Sequence, residues 1–270
     1  MSIALSYNYL EDFTADLRRV GRYTFSLEEA RNHLKTTEEA LKKTLNRMTN
    51  KGKITPVRKG FYLIIPPEYA VHKVLPPTMF IDQMMRYIEK PYYVGLLNAA
   101  SFHGASHQAP QEFFVITEKP PLRSITKGNL QLNFIIKANI REEFLERRKT
   151  EAGYIKVSCP ELTAVDLLIY EKRIGGINRC FTLLHELQEA MKPSVLKKVI
   201  AKDVPIPVLQ RLGYLLDLIL PDGKLAGVIV DAVRESNFRN TPLKTGKSLA
   251  GYPVNNKWKI IENTIPESDI

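Results

Sequence analysis

The chain has 270 residues, 44% apolar and 25% charged, which excludes a disordered, collagen-like or disulfide-stapled protein. Its 39 Lys/Arg against 29 Asp/Glu leave a net charge of +10, a balance that favours a polyanionic partner. The two cysteines, Cys159 and Cys180, read as buried small side chains of a cytoplasmic protein rather than a metal site or redox pair.

No membrane association is expected. The longest apolar runs, Tyr92–Phe102 and Leu212–Leu220, are too short to span a bilayer. Met1–Leu5 lacks the basic-then-apolar order of an export signal. The proline pairs Pro66-Pro67 and Pro76-Pro77 mark the clearest linker, because each ring fixes φ and removes a donor. Residues 1–65 hold 12 Lys/Arg and 7 Asp/Glu, a net of +5, while the other 205 residues hold 27 and 22, also +5. Half the excess charge therefore falls in the first quarter of the chain, which points to a basic N-terminal module on a nearly balanced body. The predicted domains are 1–65 and 66–270, with a further boundary near 158, where strands give way to helices.

In the first domain, Leu10, Phe13, Leu17 and Val20 recur at helical spacing, and the helix is expected to end at Gly21. Ser26-x-x-Glu29 is a capping box that opens a short second helix with Leu27, Ala30, Arg31 and Leu34 in frame. Thr36-x-x-Glu39 is a second box and opens a third helix of about four turns, ending at Gly52. Leu41, Leu45 and Met48 follow i, i+4, i+7 and should pack inward. Lys43, Asn46, Arg47 and Asn50 share another face, with Lys42 beside them, and all are donors suited to phosphates or base edges. Glu38 and Glu39 favour the helix dipole but repel phosphates, so the middle of the helix should make more contacts than its start.

Ile54 and Val57 precede a basic turn at Arg58-Lys59-Gly60, and Phe61–Ile65 is a strand after it. Three helices followed by a basic hairpin are the order of a winged helix-turn-helix. The fold class expected is α+β: that N-terminal module, then a larger mixed α/β domain. The candidate DNA-facing set is Arg18, Arg19, Thr36, Thr37, Lys42, Lys43, Asn46, Arg47, Lys51, Lys53, Arg58 and Lys59. A winged helix can also dock a protein, so an interaction scaffold is the competing reading of this module.

In the body, Met79–Glu89 reads as a helix and Tyr92–His103 as a second, largely buried one. Strands are predicted at Gln111–Thr117 and Asn129–Lys137, the latter joined by the Lys127-Gly128-Asn129 turn to Ser124–Thr126, and at Tyr154–Val157. Ser158-x-x-Glu161 looks like a third capping box, opening a helix through Leu162, Val165, Leu168 and Ile169. Further helices are predicted at Asn178–Met191, Ser194–Ala201 and Pro207–Leu220, and an extended tail at Tyr252–Ile261 around Trp258.

Chemistry is sparse in this part. His103 and His107 sit at i, i+4, but Gly104 between them argues against a helix and no third ligand is evident. Ser101 and Ser106 lie near these histidines without a strand–turn–helix elbow or an acidic partner. The run Phe102–Gln108 reads better as a polar helix-end turn. Asp166, between Val165 and Leu167, reads as a solvated or locally hydrogen-bonded carboxylate. The expectation is no metal, no cofactor and no enzyme. The alternative is a DNA-targeted hydrolase or nuclease using His103 and His107.

Several segments resemble the AbiEi-type antitoxins of abortive-infection, type IV toxin–antitoxin systems. They are Lys59-Gly60-Phe61-Tyr62-Leu63-Ile64 followed by Pro66, the run from Tyr92 to Gln108, and Ser158 to Leu168. Arg211–Leu216 and the Trp258 tail fit the same pattern, so the likeness covers nearly the whole chain. The resemblance implies an N-terminal winged helix that binds inverted repeats in the protein's own promoter and represses it. It also implies a C-terminal part that counteracts a nucleotidyltransferase toxin without forming a stable complex with it.

Overall fold

The computed structural model describes residues 2–34, 36–105, 110–201, 203–234 and 238–267. It is a mixed α+β structure that packs as two units, each assembled from separated stretches of chain. The first comprises residues 1–93, 111–140 and 147–156, and the second 94–110, 141–146 and 157–270.

The first unit opens with helix α1 (Ser2–Arg19), strand β1 (Thr24–Ser26), helices α2 (Leu27–Leu34) and α3 (Glu38–Asn50), and strands β2 (Ile54–Arg58) and β3 (Phe61–Ile64). The strands form an antiparallel sheet in the order β1-β3-β2, with Thr24 opposite Leu63 and Ile54 opposite Ile64. Pro56 is tolerated in β2 because that strand is an edge, and the register slips between Pro56 and Arg58. Leu10, Phe13, Phe25, Ala30, Leu41, Leu45, Met48, Ile54 and Ile64 make the core of this part. Phe13 meets Phe25 edge-on, with ring centroids 5.7 Å apart, and Phe25 stacks on Tyr62 at 5.2 Å.

The Ser26 box forms as predicted. Glu29 N–H donates to Ser26 Oγ (3.0 Å), and Ser26 N–H donates to Glu29 Oε2 (2.7 Å). Burial pushes the Glu29 carboxyl up, but the Ser26 amide and Arg22 outweigh it and hold the pKa below its ordinary value. Ser26→Ala should therefore cost about 1 kcal/mol of unfolding free energy, read from the urea midpoint. The second box is displaced by one residue: the N-cap of α3 is Thr37, whose Oγ1 accepts from Ala40 N–H (3.3 Å), not Thr36 with Glu39.

Two 3-10 turns and helix α4 (Ile81–Tyr87) lead to strand β4 (Tyr92–Val94) and helix α5 (Leu96–Phe102). The predicted single helix over Tyr92–His103 is thus a strand, a break at Gly95 and a short helix. Strands β5 (Phe113–Thr117), β6 (Ile125–Lys127), β7 (Leu130–Ile136), β8 (Leu145–Thr150) and β9 (Gly153–Ser158) join β4 in a mixed sheet ordered β6-β7-β5-β4-β9-β8. β5 and β7 are parallel over Phe113–Thr117, and β6 and β7 are antiparallel. β8 has no counterpart in the sequence reading.

The second unit is mainly helical. α6 (Pro160–Ile169) is buried along almost its whole length and packs against α5, α7 (Ile177–Leu187), α8 (Pro193–Ile200) and α9 (Ile206–Ile219). A helix buried on every side sits at the centre of its unit. The third predicted capping box is absent: the N-cap is Cys159 without a side-chain bond. Ser158 instead pairs with Thr163 (2.7 Å), and Glu161 accepts from Lys192 N–H (2.6 Å). Asp166 is fully buried rather than solvated, and burial followed by its charge pushes the Tyr170 phenol up to about 12.

Helix α10 (Lys224–Arg234), also unpredicted, packs on α8 and α9. The tail is not one extended segment. It forms a small sheet of β10 (Thr241–Pro242), β11 (Val254–Asn255) and β12 (Ile260–Ile261) in the order β10-β12-β11, and it carries Trp258 into the core. Both cysteines are buried free thiols, and burial pushes each up to about 12. No helix among the described residues is long and apolar enough to cross a membrane.

Candidate nucleic-acid interface

Helix α3 separates its two faces cleanly. Leu41, Leu45 and Met48 are 1–3% exposed and anchor it on the core. Lys42, Lys43, Asn46, Arg47 and Asn50 are all solvent-exposed on the other side. Thirteen residues at 1.5 Å each make a rod of about 20 Å, a length that fits a major groove. At its start, Glu38 pairs with Lys42 (3.0 Å) and faces Arg31 (3.8 Å), so its charge is partly met within the helix pair. Thr36 is half-buried and Thr37 is occupied by the cap.

Three predicted phosphate contacts from different elements come together. Arg18 on α1 and Lys51 and Lys53 after α3 line one open groove of about 460 Å³, together with Glu11 and Asp12. Lys53 pairs with Glu11 there. Arg19 pairs with Asp16 (2.7 Å) on the exposed side of α1.

The basic hairpin tip divides its two cations. Lys59 is exposed. Arg58 turns onto β7: its guanidinium carbon lies 5.1 Å from the Phe134 ring centroid, and Nη2 donates to the Arg123 carbonyl (3.1 Å). Its Nε is buried without a hydrogen-bond partner among the described residues, and burial lowers its pKa. The hairpin is held at other points too. Lys127 Nζ donates to the Pro56 carbonyl (2.6 Å), and Tyr87 Oη donates to the Lys59 carbonyl (3.2 Å). Gly60, at φ +75°, sits in the turn where an added Cβ would meet Tyr87 Oη at 2.6 Å.

Charge follows the units more sharply than it follows the proline linker. The first unit holds 23 Lys/Arg against 13 Asp/Glu, a net of +10, and the second holds 16 against 16. The whole excess therefore lies in the unit that contains α3.

The histidine pair looks different. His103 ends α5, and its Nε2–H donates to the Ser158 carbonyl (2.7 Å), a structural bond within the second unit. His107 lies outside the described residues. Among the described residues no three His, Cys, Asp or Glu gather as a metal site would require.

Sequence reasoning missed two features. One is the buried Arg211–Glu171 pair (2.8 Å), signalled only by a cation inside the apolar run of α9. The other is the basic β8–β9 hairpin, signalled by four cations in the ten residues 147–156.

Residues 93–218 match the family model described as the AbiEi antitoxin C-terminal domain. Comparison with curated proteins finds no match. Among solved structures, the chain is similar to the crystal structure of the RV2827C protein from Mycobacterium tuberculosis. The TM-score is 0.69 at 15% identity, over 94% of this chain and 90% of that one, a likeness of fold. The match of residues 93–218 to the AbiEi antitoxin C-terminal domain supports an AbiEi-type antitoxin.

Proposed function

We propose that this antitoxin is also a DNA-binding autorepressor, and that residues 1–65 are a winged helix-turn-helix that reads its own promoter. The observation that carries the reading is the exposed donor face of α3, backed by a buried face of Leu41, Thr44, Leu45 and Met48. The element order α1-β1-α2-α3-β2-β3 and the concentration of all net charge in this unit support it. Lys42, Lys43, Asn46 and Arg47 reach base edges in the major groove. Arg18, Arg19, Lys51, Lys53 and Lys59 hold phosphates. The operator is an inverted repeat of duplex DNA. Residues 66–270 counteract a nucleotidyltransferase toxin in the cytoplasm without binding it stably, as in a type IV system, and no bond-making step is assigned to them.

A gel-shift titration on the upstream promoter tests the reader. Each lost base contact costs about 1–3 kcal/mol, so Lys43→Ala/Arg47→Ala should bind at least about thirtyfold more weakly. Unchanged affinity would remove α3 from the role. Affinity insensitive to salt would point instead to a protein-docking module, because counterion release makes DNA binding steeply salt-dependent. Co-expression with the neighbouring toxin gene tests the other half: growth is restored, and the two proteins do not co-purify.

A further inference from the structure

We propose that Arg58 is a positioning residue for the β2–β3 wing rather than a phosphate contact: packed on Phe134, it sets the angle from which Lys59 reaches the DNA backbone. The inference rests on the reading of residues 1–65 as a duplex reader. It adds that chain from beyond residue 65 acts on that reader through the wing.

Strand pairing decides which way Arg58 points. Pro56 stands opposite Tyr62 and Arg58 opposite Phe61, so Val57 is an extra residue in β2. One extra residue moves the side chains after it to the other face of a sheet. Without it, Arg58 would share the face of Ile54 and Pro56. With it, Arg58 joins Thr55, Phe61 and Leu63.

The two faces have different partners. Ile54, Tyr62 and Ile64 pack on the helices of residues 1–65. The other face is covered by later chain of the same unit. Thr24, opposite Leu63, donates to Gln83 of α4, and Thr55 Oγ1 donates to the Lys73 carbonyl (2.6 Å). The Phe61 and Tyr87 rings meet with centroids 5.2 Å apart. Arg58 carries the same face to the hairpin tip, over Phe134 of β7. A hairpin covered on both faces cannot swing as a free ribbon does.

What holds Arg58 is neutral. Its guanidinium carbon is 5.1 Å from the Phe134 centroid, and Nη2 donates to the Arg123 carbonyl (3.1 Å). Nε has no partner among the described residues, and burial is the cause that lowers the pKa of the group. The docked state therefore depends on one ring and one carbonyl. An aromatic face holds a guanidinium without removing its charge. Lys59, next in the chain, is exposed, while its carbonyl accepts from Tyr87 Oη (3.2 Å). The free cation thus projects from a tip fixed by β7 through Arg58 and by α4 through Tyr87. Holding a contact group in its bound geometry beforehand removes an ordering cost from binding.

The test uses the full chain on the upstream promoter duplex, with fluorescence anisotropy between about 50 and 200 mM salt and hydroxyl-radical footprinting. Phe134→Ala removes no charge, yet should bind about two- to tenfold more weakly. It should lose protection of the flanking backbone that Lys59→Ala also loses, and keep protection under α3. Phe134→Trp, which keeps a ring, should bind as wild type. Arg58→Ala/Phe134→Ala should bind no more weakly than Arg58→Ala, because the two act as one unit. Phe134→Leu, apolar but without a π face, carries the same prediction if the alanine variant does not fold. Wild-type affinity and footprint in the Phe134 variants, with Lys43→Ala/Arg47→Ala still weakened, refute the positioning role and leave the α3 reading standing. Tighter binding with a log K–log salt slope steeper by about 0.9 means that a released Arg58 grips a phosphate, and the proposal fails. Protection lost under α3 as well as at the flanks means a general structural defect, and it fails again. If the wild type leaves no footprint, the reader itself falls.

Discussion

Arg211→Met should lower the unfolding free energy by about 3–5 kcal/mol, because it leaves a carboxylate stranded in the second unit. The Arg211 and Glu171 side chains are only 9% and 8% exposed, and Nη1 donates to Glu171 Oε2 at 2.8 Å. Thr245 Oγ1 donates to the other carboxylate oxygen (2.9 Å), so Glu171 ties the loop after β10 to α9. Losing the cation removes the compensation and keeps the desolvation. Removing both charges is a different experiment: Glu171→Leu/Arg211→Met should recover much of the loss, since an apolar pair of similar volume carries no buried charge. Urea unfolding of the two variants decides. A single variant as stable as wild type would mean that water reaches the pair.

Gly213→Ala should destabilise by about 1–3 kcal/mol or more, although alanine is the better helix former by about 1 kcal/mol. Gly213 lies mid-α9, and a Cβ there would come within 2.1–2.6 Å of three Trp258 ring atoms. Trp258 is 1% exposed and pinned: its indole N–H donates to Asp217 (2.9 Å), and its carbonyl accepts from Gln210 Nε2 (2.9 Å). The ring cannot swing aside as a flexible side chain would. Trp258→Ala should cost about 3–5 kcal/mol on its own. Gly213→Ala/Trp258→Phe should be less damaging than the sum of its parts, because the smaller ring makes room for the methyl. Strict additivity in that cycle would show that the two residues do not touch in solution.

The first sixty-five residues were the most legible part of the chain. The helical spacing of Leu41, Leu45 and Met48 and the reciprocal Ser26–Glu29 box are local signals, and both appear as read. The second box failed by one residue because Thr36 and Thr37 are equally good caps, and only backbone geometry selects between them. Tyr92–His103 misled because a continuous apolar run carries no period that distinguishes a buried strand from a buried helix. β8 escaped notice for the opposite reason. An edge strand rich in Glu, Arg and Lys lacks the apolar alternation by which strands are found. The side of α3 that faces solvent could be read in advance. The docking of Arg58 onto Phe134 could not, since it joins residues 76 positions apart through the topology of two sheets.

The meeting of Gly213 with Trp258 has a consequence for biosynthesis. The notch on α9 is translated about forty-five residues before the indole that fills it. At roughly 5–20 residues per second it therefore stays open for about 2–9 s on the ribosome. A nascent chain released within that window presents an unfilled apolar slot to proteases and chaperones, so cellular abundance of this protein depends on translation reaching its single Trp codon.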